Sequence, residues 1–139
     1  MAKKDRTVSH MKAFTVYQPY AYAIVAGLKQ YETRPRRTNV RGRVAVHAGK
    51  AKDVLIPRPV GLIIPKSTVL HYGAVLGTVE IVDCIPVEAL IDKISEQERL
   101  LGDYTPGRFA WVLKNPVMFD KPIPARGFQG WWHWEGEHR

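Results

Sequence analysis

Hydrophobic and polar positions alternate over Met11–Val16, a stretch rich in β-formers, and this predicts a first strand. Pro19 then stands at a natural helix start, and Tyr20–Ala26 reads as a short apolar helix. Gly27 is its stop, because glycine enters the left-handed C-terminal cap without strain. Gln30–Thr33 is expected to be extended and to end before Pro35, which disfavours helix at Arg34. Gly42–Ala48 alternates again, as Arg-Val-Ala-Val-His, and predicts a strand. Ala51–His71 holds Pro57, Pro59, Pro65 and Gly61 and predicts loop with one short helix. The strongest β signal is Gly73–Val87. A helix is expected over Val87–Leu101, opened near Pro86 and closed by Gly102, then a strand over Phe109–Val117 and one or two short ones within Lys121–Trp134. Short strands broken by glycine and proline, with two or three helices, point to an α+β domain built on a small, curved or closed sheet.

A chain of 139 residues is the size of one domain. It buries roughly two-thirds of its unfolded surface and needs no disulfide or metal to fold. The expected layout is a flexible extension over residues 1–10, one domain over 11–135 and a short tail over 136–139. The single cysteine, Cys84, lies in an apolar run and reads as a small core residue. No run of about 18 apolar residues exists, and basic Met1–Lys12 lacks an apolar core behind it. The expectation is a cytoplasmic protein without membrane contact, with a monomer favoured.

Charge changes the picture more than size does. The net charge is +8, and between Arg34 and Arg58 eight basic residues face one acid, Asp53. Between Glu88 and Asp103 the balance reverses, with five acids against Lys93 and Arg99. A clustered basic stretch is the footprint of a polyanion partner. An anionic small molecule, an acidic protein and a merely solvated loop are the alternatives.

Several chemistries are excluded. The five histidines are scattered and there is no cysteine pair, so no metal site is expected. The glycines form neither a Walker loop nor a dinucleotide fingerprint, and no cofactor is expected. Ser9, Ser67 and Ser95 lie in no nucleophile elbow.

What remains is Gln18-Pro19 before the helix, then Gly27-Leu28-Lys29-Gln30-Tyr31-Glu32-Thr33-Arg34. A regular strand would turn Lys29, Tyr31 and Thr33 one way and Gln30, Glu32 and Arg34 the other. A bend after Gly27 lets Lys29 and Glu32 converge. An ammonium can hold a phosphate or polarise a carbonyl; a carboxylate can accept a base's exocyclic amine or move a proton. A plain salt bridge is the alternative. Glu80 interrupts an apolar strand and lies either on a solvated face or in a cleft. His47, before Ala48-Gly49-Lys50, either binds phosphate or holds a loop. Tyr17 and Tyr20 are the better candidates for stacking on bases, whereas Trp111 and one of Trp131 and Trp132 belong to the core. Arg34, Arg36, Arg37, Arg41 and Arg43, with Lys50 and Lys52, would contact phosphates and so add affinity without sequence choice.

Taken in order, Tyr17-Gln18-Pro19-Tyr20-Ala21, Gly27-x-Lys29-x-x-Glu32-x-Arg34 and Arg41-Gly42-Arg43-Val44-x-Val46-His47-Ala48 resemble the ASCH domain (activating signal cointegrator homology), a branch of the PUA-like superfamily. Gly107-Arg108-Phe109-Ala110-Trp111-x-Leu113 and the closing Pro122–Trp134 segment resemble its C-terminal strands. The resemblance implies a PUA-like β-barrel of about five or six strands flanked by helices, a cleft beside the first helix, and a role with RNA or DNA. Some members are small amidohydrolases that deacylate modified cytidine, and one is a proposed ribonuclease. The hydrolase type sets a lysine, a threonine and a glutamate in the cleft. Lys29 matches the lysine, Glu32 stands in the threonine position, and Glu80 corresponds to the glutamate. The expected activity is therefore nucleic-acid binding with Lys29 and Glu32 in a nucleotide-sized cleft. The alternatives are hydrolysis by Lys29, Glu32 and Glu80, or a protein-interaction module.

Overall fold

The structure is a computed structural model, described here over residues 10–50, 64–65 and 67–136. Lys52 and most of Ala51–His71 lie outside the described residues. The elements are β1 (Met11–Val16), α1 (Tyr20–Val25), β2 (Tyr31–Arg34), β3 (Gly42–Ala48), β4 (Ala74–Pro86), a 3-10 turn (Val87–Ala89), α2 (Glu96–Leu100), β5 (Phe109–Pro124) and β6 (Trp132–Trp134). The fold is α+β: one six-stranded sheet in the order β2-β5-β4-β3-β1-β6, with β1 parallel to β3 and the remaining pairs antiparallel.

The sheet is not closed into the expected barrel. Its terminal strands are β2 and β6, and neither pairs with the other. The three residues of β6 cover only Met11–Ala13, so the end of β1 has no strand beside it on that side. The Thr15 carbonyl accepts instead from Arg34 Nη2 of β2, at 3.0 Å. Above this bond Trp131 stacks on Trp111 at 5.1 Å, and Phe14 meets both edge-on. Side chains thus bridge a seam that a closed barrel would bridge with backbone hydrogen bonds.

Two expected elements differ. The helix predicted over Val87–Leu101 is divided, because Ser95 starts a new one: its Oγ accepts from Glu98 N at 3.1 Å, the N-cap bond. The strand predicted to end at Val117 runs on to Pro124. Asn115 takes a positive φ of 52°, and three register irregularities against β4 bend the ribbon without ending it. At Gly77 the two strands approach so closely that a Cβ would lie 1.9 Å from the Val117 carbonyl oxygen.

The main core lies between α1 and the sheet, around Phe14, Ile24, Val44, Val46, Val79, Ile81, Cys84, Trp111 and Leu113. Trp134, not assigned to the core from the sequence, is buried with Ala13, Ala45 and Val75 on the other face. No helix among the described residues is long and apolar enough to cross a membrane.

Candidate functional site

Gly27 has φ +81°, and the next two amides, Leu28 N and Lys29 N, both donate to the Ala23 carbonyl at 2.8 and 3.0 Å. This helix end folds the chain back beneath α1 and buries Lys29, which is 3% exposed. Because β2 begins only at Tyr31, Lys29 escapes strand alternation and meets Glu32, with Nζ 3.8 Å from Oε1. The expected convergence after Gly27 is therefore present. Glu32 is tied more closely to Arg34, whose Nε donates to Oε2 at 2.7 Å. The Arg34 guanidinium lies 5.2 Å from the Trp111 ring and 5.7 Å from that of Phe14.

The outer edge of β2 is closed by charged side chains. Lys29 Nζ donates to the Tyr31 carbonyl at 2.6 Å, and Arg108 Nη2 to the Thr33 carbonyl at 3.0 Å. Glu98, buried on α2, accepts from Gln30 N at 3.0 Å and Tyr31 N at 3.2 Å. Burial pushes its carboxyl pKa up; the two amides and Lys29 pull the other way. An exposed edge strand is thus satisfied without a further strand. Lys29 keeps further N–H donors for a ligand, since an ammonium carries three.

Lys29, Glu32, Thr33, Arg34 and Arg108 line an open cleft of about 1650 Å³. Tyr17, Tyr20 and Lys50 stand on one side, and the segment Pro124–Gly130 makes another wall. His47 anchors that wall. The Ala125 carbonyl can only accept, so Nε2 carries the proton and donates to it at 2.7 Å, while Nδ1 accepts from Thr15 Oγ1 at 3.2 Å. Burial lowers the His47 pKa below its usual value. A Cβ at Gly127 would lie 2.5 Å from the imidazole, so the wall passes over His47 only because this residue is glycine. His47 holds a loop, one of the two roles expected of it. Tyr17 is 51% exposed and Phe128 52%, and both line the cleft.

Other expected residues are placed differently. Gln18 serves the start of α1: its Oε1 accepts from Tyr22 N and its Nε2 donates to the His71 carbonyl, both at 2.9 Å. Glu80 does not reach the cleft. It accepts from Asn115 Nδ2 at 2.8 Å, so the expected grouping of Lys29, Glu32 and Glu80 is not formed. Arg36, Arg37, Arg41 and Arg43 line a neighbouring groove instead. Sequence reasoning missed Glu98, Arg108, Phe128 and Asp103, which lines the cleft 3.6 Å from Arg108. Only Arg108 carried a signal, in the Gly107-Arg108-Phe109 block.

A model of the ASCH domain family matches residues 14–123. The chain belongs to the ASCH domain family. Among solved structures, the ASCH protein of Zymomonas mobilis is similar, with a TM-score of 0.51 and 22% identity, over 81% of this chain and 72% of that one. A tyrosine-to-phenylalanine mutant of the same Z. mobilis protein matches with the same score and identity, over 74% of its own chain. At this identity the likeness concerns the fold alone. A search of curated proteins finds no match. The matched span of this ASCH domain contains Lys29, Glu32, Arg34, His47 and Arg108, and stops just before the Pro124–Gly130 wall.

Proposed function

We propose that this ASCH domain binds RNA or single-stranded DNA and seats one nucleotide in the cleft above Lys29 and Glu32. The observation that carries the reading is one cleft that holds buried Lys29 and Glu32, half-buried Arg34 and two exposed aromatic rings, Tyr17 and Phe128. Exposed rings offer stacking faces to any base, at about 1–3 kcal/mol each. Lys29 would hold a phosphate or base carbonyl, and Glu32 would accept an exocyclic amine. Arg36, Arg37, Arg41 and Arg43 beside the cleft would meet phosphates and add affinity without base choice. Membership of the family supports a nucleic-acid partner.

Fluorescence anisotropy with labelled oligonucleotides at two salt concentrations tests this. Binding should weaken steeply with salt, because each neutralised phosphate releases counterions. Lys29→Ala should weaken binding at both concentrations. Salt-insensitive binding, or none with any oligonucleotide, would sink the reading.

The contact between Lys29 and Glu32 also favours a second reading, hydrolysis of a modified nucleoside or of RNA, with Lys29 as base or electrophile and Glu32 moving the proton. It predicts turnover of acylated cytidine or cleavage of RNA that Lys29→Ala abolishes. Glu80→Gln should leave this turnover intact, because Glu80 does not line the cleft.

A further inference from the structure

Beside the cleft lies a second groove of about 1010 Å³. Lys12 of β1, Arg36, Arg37, Arg41 and Arg43 line it, with Trp131 among them. Two residues, Arg34 and Gly130, belong to the walls of both depressions. Gly130 has φ +66°, and a Cβ there would meet nothing within 4 Å, so no side chain crowds this shared wall on that side.

The groove is rich in cations. Of these, Arg34, shared with the cleft, is held by Glu32 at 2.7 Å, and Arg41 lies 4.0 Å from Asp83, a pair exposed on both sides. The groove is also furnished with rings. Trp111 and Trp131 both line it, stacked on each other at 5.1 Å, and Trp131 is held by its Nε1 bond to Thr38 Oγ1 at 3.1 Å. A cationic groove with a fixed tryptophan wall suits a single polynucleotide strand, which presents both phosphates and bases. An acidic peptide would use the cations and leave the rings without a role.

We infer that the second groove is the continuation of the binding track. A single strand seated by one nucleotide in the cleft crosses at Arg34 and Gly130 and lays its next nucleotides along Lys12 and the arginines. The inference rests on the proposed nucleotide cleft and adds to it a direction of exit, a minimum ligand length and Lys12 as a contact. Binding sites on single strands span about 4–16 nucleotides in other small modules, a range that two adjoining depressions can fill.

The test compares uridine monophosphate, U3 and U6 by competition against a labelled oligonucleotide. Wild-type protein and the Lys12→Glu and Arg36→Glu variants are used, each first checked for an unchanged thermal midpoint. U6 should bind wild-type at least about tenfold more tightly than the monophosphate, and each variant should remove most of that gain. The slope of log affinity against log salt should fall by about 0.7 for each phosphate that a variant no longer neutralises. Lys12→Glu should leave monophosphate affinity unchanged. Equal affinity for U6 and the monophosphate, or an undiminished gain in both variants, would overturn the track while leaving the cleft standing. Failure of the monophosphate and every oligomer to bind would remove the cleft itself. A U6 duplexed with its complement binding as tightly as the single strand, or a polyglutamate peptide binding in a Lys12-dependent manner, would also overturn the track, the latter in favour of a protein partner.

Discussion

The pair formed by Glu32 and Arg34 can be tested apart from any ligand. The bond is 2.7 Å long, with the Glu32 side chain 9% exposed and that of Arg34 27% exposed. Exposed ion pairs contribute only about 0.2–1 kcal/mol, but a hydrogen bond to a charged group with little water contributes about 1.5–3 kcal/mol. Arg34→Met keeps the aliphatic stem and loses this bond, the bond to the Thr15 carbonyl and the packing of the guanidinium on Phe14 and Trp111. Lys29, 3.8 Å from Glu32, partly compensates the carboxylate left behind. The expected cost is about 3 kcal/mol, at the lower end for breaking a buried pair. Glu32→Gln should cost about 2 kcal/mol and the double variant about 3, leaving a coupling of about 2 kcal/mol. Urea denaturation of the four proteins measures it, and each kcal/mol should also move the thermal midpoint by about 3–5 °C. Additivity within about 0.5 kcal/mol would refute the reasoning, because the two groups would then be independently solvated.

Three further outcomes follow from buried groups. His47 is neutral in the fold with its pKa lowered, so below 6.5 the unfolded chain binds a proton that the native chain resists. Stability should fall with decreasing pH from there down to the native pKa, by at most about 1.4 kcal/mol per unit, and His47→Asn should flatten the slope of urea midpoints between pH 7.5 and 5.5; an unchanged slope would remove His47 as its source. The Tyr104 hydroxyl is buried without a hydrogen-bond partner among the described residues, and burial chiefly, with nearby Glu98, raises its pKa. Tyr104→Phe should therefore be neutral or stabilising by about 1 kcal/mol, and a loss of more than about 1 kcal/mol in chemical denaturation would reveal a partner. Gly77→Ala drives a Cβ onto the Val117 carbonyl and should cost at least the upper part of the about 1–3 kcal/mol range for overpacking; a near-wild-type melting curve would contradict the close approach of β4 and β5.

The strands Met11–Val16 and Gly42–Ala48 were legible to the residue, since each is a short run rich in β-formers with a clear break after it. The reach of β5 was not. A strand ending at Val117 and a separate short one after Lys121 were expected, yet a single irregular ladder runs through Pro116 and Pro122 to Pro124. Sheet closure was also out of reach, because it depends on whether β6 extends far enough along β1 to meet another strand. Within the site, the Lys29–Glu32 contact followed from Gly27 and its local backbone. Glu98 did not, because it acts on backbone amides 67 and 68 residues away. Charge counting correctly located the basic segment but cannot separate a cation facing water from one already committed. Arg34 is held by Glu32, Thr15 and two rings, whereas Arg36 is exposed.

The seam between β1 and β2 makes the cleft a pair of lips. Tyr17 follows one strand, while Glu32 and Thr33 belong to the other, and no ladder hydrogen bond sews the two strands together. Parting them costs the Arg34 bond to Thr15 and a stack of rings, far less than peeling any internal strand from the sheet. A ligand touching both lips therefore works as a stitch. Its grip would register far from its own binding surface, as slower amide exchange along β2 and its partner β5, while the β3–β4 pair at the sheet's centre stays as protected as before.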